Sequence, residues 1–207
     1  MISVVQADSF LEHPHGGVAL ATRKAVMRDI PAILEIINGY AAQGLMLPRT
    51  EFEMSEAIRD FTVVTNGSEL LGCGALHFYS PTVGEIRSLA VVPRARSAEA
   101  PQGNKPHGVG RRVVEALLEE AQLYELDAVF AFTYVTGFFQ KMGFDVVERG
   151  VLPLKAWKDC LRCPKFHACD EIAVLRILRP GHWAQAQPDL WPVETDSYIQ
   201  LPTVRRF

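Results

Sequence analysis

The sequence predicts an α+β fold on a mixed sheet, and three observations predict it. Between residues 22 and 178 the elements follow in the order helix, helix, three strands, helix, strand, helix, strands. Hydrophobic residues make up 48% and charged residues 22% of the chain, with 11 Phe and 5 Tyr, which supplies a core and excludes wholesale disorder. At 207 residues the chain has the length of one compact domain with an extra segment, which argues against a two-domain enzyme.

Residues 1–21 mix His13, Pro14, His15, Gly16 and Gly17 without periodicity and read as a flexible arm, so the fold is expected to begin near Thr22. Ile30, Ile33, Leu34, Ile37 and Ala41 recur at helical spacing after Asp29-Ile30-Pro31, and Gly44 ends that run. Thr50 and Glu53 form a capping-box pattern ahead of Met54, Ala57, Ile58 and Phe61, which predicts a second, shorter helix. Strands are expected over 61–65 and 69–79, joined at Asn66-Gly67, and over 85–92, bounded by Gly84 and Pro93. Residues 94–106 break all periodicity and read as an exposed loop. A long helix follows from Gly108 with Val109, Val113, Ala116, Leu117, Ala121 and Tyr124 on one face. After it come a buried strand over 128–134, a short helix over 136–141, and strands over 145–147 and 171–178. From residue 179 the chain is rich in Trp, Pro and Gln and is expected to form an irregular tail to residue 207, packing either on its own core or on the edge of a homodimer.

The charge balance is −3, so no overall basic field points to nucleic acid or to an anionic membrane. The first 17 residues have no basic run ahead of an apolar one, and nowhere do 18 apolar residues follow one another, so a cytoplasmic protein without a membrane segment is expected. Four cysteines, three of them between Cys160 and Cys169, do not resemble a secreted disulfide framework.

The sharpest local feature is the strand Leu89-Ala90-Val91, a loop, and then Lys105-Pro106-His107-Gly108-Val109-Gly110-Arg111-Arg112 opening a helix. Glycines let a backbone approach phosphate oxygens, and the N–H groups of a helix start supply donors and a partial positive charge. Lys105, His107, Arg111 and Arg112 add cations to a chain that is acidic overall, and a pyrophosphate is the natural guest. A P-loop lysine motif and the third glycine of a dinucleotide fingerprint are both missing. The plain alternative is that Gly108 and Gly110 only ease the chain into its helix.

These residues resemble the acetyl-CoA motif of the GNAT acyltransferase superfamily, Arg/Gln-x-x-Gly-x-Gly/Ala, with Lys105-x-x-Gly108-x-Gly110 in its place. The Phe138-Phe139-Gln140-Lys141-Met142-Gly143-Phe144 run is similar to the family's closing helix and Gly-Phe pair, and the resemblance covers about residues 22 to 178. It implies a GNAT-like mixed, mostly antiparallel sheet flanked by helices, with acetyl-CoA as co-substrate. The backbone of Leu89, Ala90 and Val91 would pair with pantetheine, and residues 105–112, Val109 included, would hold the pyrophosphate. Within the superfamily, Leu45-Met46-Leu47-Pro48-Arg49-Thr50, Gly72-Cys73-Gly74-Ala75-Leu76-His77 and Gly84-Glu85-Ile86-Arg87-Ser88-Leu89-Ala90-Val91 resemble short stand-alone N-acetylglutamate synthases. That likeness implies an amino-acid N-acetyltransferase working through a ternary complex at the first step of arginine biosynthesis. From the chain's length, direct feedback through the arginine-sensing domain of the long synthases is not expected.

Acetyl transfer needs a deprotonated amine, a polarised thioester carbonyl and a leaving thiolate. Glu85 matches the glutamate assigned as general base in the resembled synthases. Its alternative is a solvated strand-end acid or an ion pair with Arg87 on the same face. Backbone N–H groups near Ser88 or Leu89 would hold the developing oxyanion. The position that carries a thiol-protonating tyrosine in many GNAT enzymes is Phe139 here, and Tyr134 is either its substitute or a core tyrosine. A dicarboxylate acceptor such as glutamate calls for guanidinium groups, for which Arg49 and Arg87 are candidates.

Cys160, Cys163, His167 and Cys169 have the chemistry of a tetrahedral zinc site, but their spacing is tight. The favoured alternatives are a reduced packing cluster or a segment whose Lys158, Arg162 and Lys165 line a substrate mouth. Rival readings keep the fold and change the acceptor to glutamine, another amino acid, a polyamine or a protein N-terminus, or make the chain a weakly catalytic sensor of acetyl-CoA or metal.

Overall fold

The computed structural model describes residues 20–93, 108–149, 152, 160, 163 and 165–186. The loop before the long helix, with Lys105 and His107, therefore lies outside the described residues, as do Lys158, Arg162 and the chain beyond residue 186. Among the described residues seven strands form one hydrogen-bonded order, β1-β2-β3-β4-β5-β7-β6. They are β1 Leu20–Lys24, β2 Phe61–Asn66, β3 Glu69–Phe78, β4 Val83–Val91, β5 Ala128–Thr133, β6 Asp145–Val147 and β7 Ile172–Ile177. The helices are α1 Ile30–Ala41, α2 Glu51–Ala57, α3 Val109–Leu123, α4 Thr136–Gln140 and α5 Pro180–Ala186. The described residues fall into two compact units, one from within 20–74 and 88–116, the other from within 75–87 and 117–186.

In the first unit, β1 pairs antiparallel with β2 from Leu20↔Asn66 to Lys24↔Thr62. The first described strand, Leu20–Lys24, spans the expected start near Thr22, and residues 1–19 of the expected arm lie outside the described residues. An edge strand with only half-buried and exposed positions carries no alternation of apolar residues, so its sequence gives no strand signal. Arg23 ties this edge to the entry of α1 by a bidentate pair with Asp29, Nη1 to Oδ2 at 2.7 Å and Nη2 to Oδ1 at 2.9 Å. Those hydrogen bonds hold the Asp29 carboxyl below its ordinary pKa. The face of α1 that enters the core is Ile30, Ile33, Ile37 and Tyr40. Gly44, at φ 70, reverses the chain, with its N–H on the Ala41 carbonyl and the Leu45 N–H on that of Tyr40. The capping box of α2 forms as expected: Thr50 Oγ1 accepts from the Glu53 N–H, and Glu53 Oε2 accepts from the Thr50 N–H at 2.9 Å. The β2–β3 turn falls on Gly67 and Ser68, with positive φ at Gly67 alone, while Asn66 stays in β2.

In the second unit, β4 runs parallel to β5 and β7 antiparallel to both β5 and β6. Val83, Ala128, Phe130, Leu152, Ala173, Leu175 and Trp183 form a buried cluster. Trp183 belongs to α5, so Pro180–Ala186 of the tail expected to be irregular from residue 179 is helical, and the rest of that tail lies outside the described residues. Pro180 opens it at the position where a missing N–H costs no bond. The end of α3 is a reversed cap in which the Glu125 N–H reaches the Gln122 carbonyl and the Leu126 N–H that of Ala121. Glu125 occupies the left-handed position at φ 56, where glycine is the strain-free residue. Glu125→Gly is expected to stabilise the protein by about 1 kcal/mol, read as a Tm rise of about 2–4 °C in a thermal melt. The 3.9 Å contact of its carboxylate with Arg179 is exposed and offsets little of this, and the Arg179 bond to the residue-125 carbonyl is kept.

Candidate active site

In the first unit the strand end and the helix start meet at Gly72 of β3. A Cβ built there would stand 2.7 Å from Val109 Cγ1, 3.1 Å from the Ala90 carbonyl oxygen and 3.3 Å from Val91 Cγ2. The glycine lets Ala90 and Val91 of β4 and the first residue of α3 close on one point of β3. Gly108 enters the helix at φ 80, and the first intrahelical bond at that end runs from the Arg112 N–H to the Gly108 carbonyl. The N–H groups of Val109, Gly110 and Arg111 precede that bond and form the donor set that a pyrophosphate needs. Arg111 and Arg112 are exposed beside them, with Arg111 in a 3.4 Å surface pair with Glu115. Such a pair is weak enough to give way to an anion.

Ser88 takes φ 52, a left-handed conformation that kinks β4 in its middle. Cys73 Sγ lies 3.8 Å from the Ser88 carbonyl oxygen. Burial pushes the Cys73 thiol up to about 12, so it is a core thiol that stays protonated at neutral pH. Beyond the kink, the Val91 carbonyl accepts a 2.6 Å bond from Tyr40 Oη of α1. Arg49 is half-buried, and its backbone is held by Asn38 at both the N–H and the carbonyl.

In the second unit, the β4–β5 register comprises Val83↔Ala128, Gly84↔Val129 and Glu85↔Phe130, while β4 runs on to Val91 and β5 to Thr133. Glu85 sits at the last of these pairs and is 1% exposed. The solvated strand-end reading of Glu85 is therefore corrected: the backbone seats it in the protein interior. Arg87, two residues on, is half-buried.

Tyr134 is 37% exposed, so the core-tyrosine alternative is also corrected. It follows the Thr133↔Ile172 pair of β5 and β7 and meets a segment distant in sequence. Its Oη donates to Asp170 Oδ1 at 2.8 Å and accepts from Lys165 Nζ at 2.9 Å. Lys165 Nζ also lies 3.5 Å from Asp170 Oδ1. Desolvation leaves the Tyr134 hydroxyl above its ordinary pKa despite the opposing bond from Lys165, so it stays protonated at neutral pH. The hydrogen bond with Tyr134 raises Lys165 and lowers Asp170. Arg149 Nη2 donates to the carbonyls of Cys169 and Glu171, which fixes the backbone on both sides of Asp170. Two candidates read separately in the sequence, Tyr134 and Lys165, are thus brought together, and Asp170 joins them without any signal in its local sequence.

Phe139 is 3% exposed. The Gly143 N–H bonds the Gln140 carbonyl and the Phe144 N–H that of Phe139, with Gly143 at φ 79. The Phe139 and Phe144 rings meet edge to face at 5.2 Å. The helix and Gly-Phe signature is a reversed helix cap with its hydrophobic contact, and Phe139 serves as that contact.

Cys160, Cys163 and Cys169 are free thiols. The Cys163 N–H turns back to the Cys160 carbonyl at 3.0 Å, and His167 lies in a single 3₁₀ turn, Phe166–Ala168. Among the described residues no three His, Cys, Asp or Glu side chains gather as a metal site, so the structure does not assemble the zinc set of Cys160, Cys163, His167 and Cys169. Among the same residues no helix is long and apolar enough to cross a membrane.

Residues 31–144 match the family model described as acetyltransferase (GNAT) family, more than half of the chain. The protein belongs to the GNAT acetyltransferases. It is 42% identical over 159 residues to an uncharacterized N-acetyltransferase of Chlorobaculum tepidum, across 75% of this chain and 95% of that one. An amino-acid acetyltransferase of Mycobacterium tuberculosis is 33% identical over 129 residues, 61% of this chain and 68% of the relative. Among solved structures, N-acetylglutamate synthase from Neisseria gonorrhoeae with coenzyme A and N-acetyl-glutamate is 26% identical with a TM-score of 0.66, covering 77% of this GNAT chain and 35% of the synthase. The mixed, mostly antiparallel sheet flanked by helices is the fold of this family, and the chain is an N-acetyltransferase by membership.

Proposed function

We propose that the protein transfers the acetyl group of acetyl-CoA to the α-amine of L-glutamate, as an N-acetylglutamate synthase does at the first step of arginine biosynthesis. The observation that carries this reading is Glu85, a carboxylate 1% exposed at the last pair of the β4–β5 register. A buried acceptor on that strand takes the proton that the α-amine must lose, directly or through one water. The relative named amino-acid acetyltransferase and the gonococcal neighbour holding coenzyme A and N-acetyl-glutamate support the choice of donor and acceptor.

In this mechanism the β4 backbone over Leu89, Ala90 and Val91 pairs with the pantetheine arm, and the helix start from Gly108 to Arg112 takes the pyrophosphate. Lys105 and His107 precede that start in the chain and add positive charge to it. The amine attacks the thioester carbonyl, the C–N bond forms and the C–S bond breaks. Backbone N–H groups near Ser88 and Leu89 hold the oxyanion meanwhile. Tyr134 gives its hydroxyl proton to the leaving thiolate while the Lys165 ammonium, 2.9 Å away, stabilises the phenolate. Arg49 and Arg87 pair with the two carboxylates of the acceptor.

The test is release of CoA thiol with acetyl-CoA and a panel of L-glutamate, L-glutamine, other amino acids, spermidine and a short peptide. Turnover highest with glutamate supports the reading, and turnover only with another amine overturns the acceptor assignment. Tyr134→Phe is expected to lower kcat by about 10²-fold or more with little change in either KM, the usual contribution of a general acid. An unchanged kcat would assign the Tyr134, Lys165 and Asp170 cluster to structure alone.

A further inference from the structure

We propose that Asn38 is a positioning residue for the acceptor amino acid: its carboxamide fixes the backbone of Arg49, and with it the place of the guanidinium that receives the acceptor's carboxylate. The inference rests on the reading of Arg49 as an acceptor-binding residue and adds the residue through which that binding is set. Asn38 Oδ1 accepts the Arg49 N–H at 2.9 Å, and Asn38 Nδ2 donates to the Arg49 carbonyl at 3.0 Å. Both backbone groups of one residue are bound by one side chain, as a neighbouring strand would bind them.

The loop from Gly44 to Arg49 needs this brace. Its Leu45 and Leu47 are each 42% exposed, so burial in a core does not hold its course. Instead it leaves α1 through the Gly44 reversal and is caught again on the same helix by Asn38. Two residues further along α1, Tyr40 donates to the Val91 carbonyl of β4. The last turn of α1 thus holds both the arginine loop and the strand assigned to acetyl-CoA. Recognition of a carboxylate by a guanidinium fork depends on where the fork stands, and freeing the Arg49 backbone spreads it over many positions.

The test is a double-mutant cycle on the full chain with Asn38→Ala, Arg49→Ala and the pair. Both KM values, kcat and Tm are measured with acetyl-CoA and the fastest acceptor of the panel above. Asn38→Ala is expected to raise the acceptor KM about 5- to 20-fold, the effect of one or two hydrogen bonds, while the acetyl-CoA KM stays within about 2-fold. On the Arg49→Ala background the same substitution should add less than about 2-fold, because its effect passes through Arg49. An acceptor KM that Arg49→Ala raises and Asn38→Ala does not would overturn the inference and leave the function standing. So would effects that multiply in full, or a joint rise of both KM values with a fall in Tm. An Arg49→Ala variant with an unaltered acceptor KM, or a panel without turnover, would overturn the acceptor-binding role of Arg49 and this inference together.

Discussion

Glu85→Gln is expected to lower kcat/KM for L-glutamate by about 10²- to 10⁴-fold, the usual contribution of a general base. Glutamine keeps the shape of the side chain, and Glu85 is 1% exposed, so the substitution exchanges a carboxylate for an amide without opening space. The amide cannot take a proton from the attacking amine, whereas acetyl-CoA, bound through the backbone of Leu89 to Val91 and the start of α3, should keep its KM. The deficit should narrow as pH rises through the pKa of the amine, because the acceptor then arrives deprotonated. Steady-state thiol release at several pH values, with a thermal melt to confirm the fold, measures this. A variant retaining a third or more of wild-type kcat/KM would exclude Glu85 as the base.

Gly72→Ala is expected to injure both stability and donor binding. The new methyl would lie 2.7 Å from Val109 Cγ1 and 3.1 Å from the Ala90 carbonyl oxygen, so β3 must back away from β4 or from the start of α3. Overpacking of this kind costs about 1–3 kcal/mol, read as a Tm fall of roughly 2–12 °C. Because the atoms displaced belong to the strand and helix assigned to acetyl-CoA, its KM should rise several-fold more than that of the acceptor. Gly84 provides the control: a Cβ there meets Leu126 Cδ1 at 2.9 Å and Leu76 Cδ1 at 3.0 Å, the far ends of side chains that can turn aside. Gly84→Ala should therefore cost less and leave the acetyl-CoA KM unchanged. Equal losses from the two substitutions would remove the special place given to Gly72.

Elements with an apolar stripe or a local punctuation mark were legible in the sequence. The periodicity of α1, the Thr50 and Glu53 box of α2 and the apolar runs of β2 to β5 lie within one or two residues of the observed bounds. In α3, Val109, Val113, Leu117 and Ala121 are buried as expected, joined by Val114 and Leu118, whereas Tyr124 lies past the helix end and is 56% exposed. β1 and α5, which the sequence did not reveal, lack such marks. β1 is an edge with exposed positions on both faces, and α5 brings Trp183 into the core from a segment whose composition reads as loop.

The same division runs through the candidate site. A glycine-lined helix start, a strand ahead of it, Glu85 and Arg49 are properties of short segments, because anion binding by backbone and placement on a strand depend on neighbours in the chain. Whether Glu85 was buried, and whether Tyr134 was core or surface, depended on strand partners that no short segment encodes. Tyr134 meets Lys165 across 31 residues and Asp170 across 36, through the antiparallel register of β5 on β7. Asn38 reaches Arg49 because Gly44 turns the intervening loop back on α1. Motifs within short segments carried the resemblance to the family, and local periodicity and capping gave the order of the elements from α1 to β7. Tertiary structure alone decided which residues of the site share a hydrogen bond, because that is set by sheet register and loop closure over long stretches of chain.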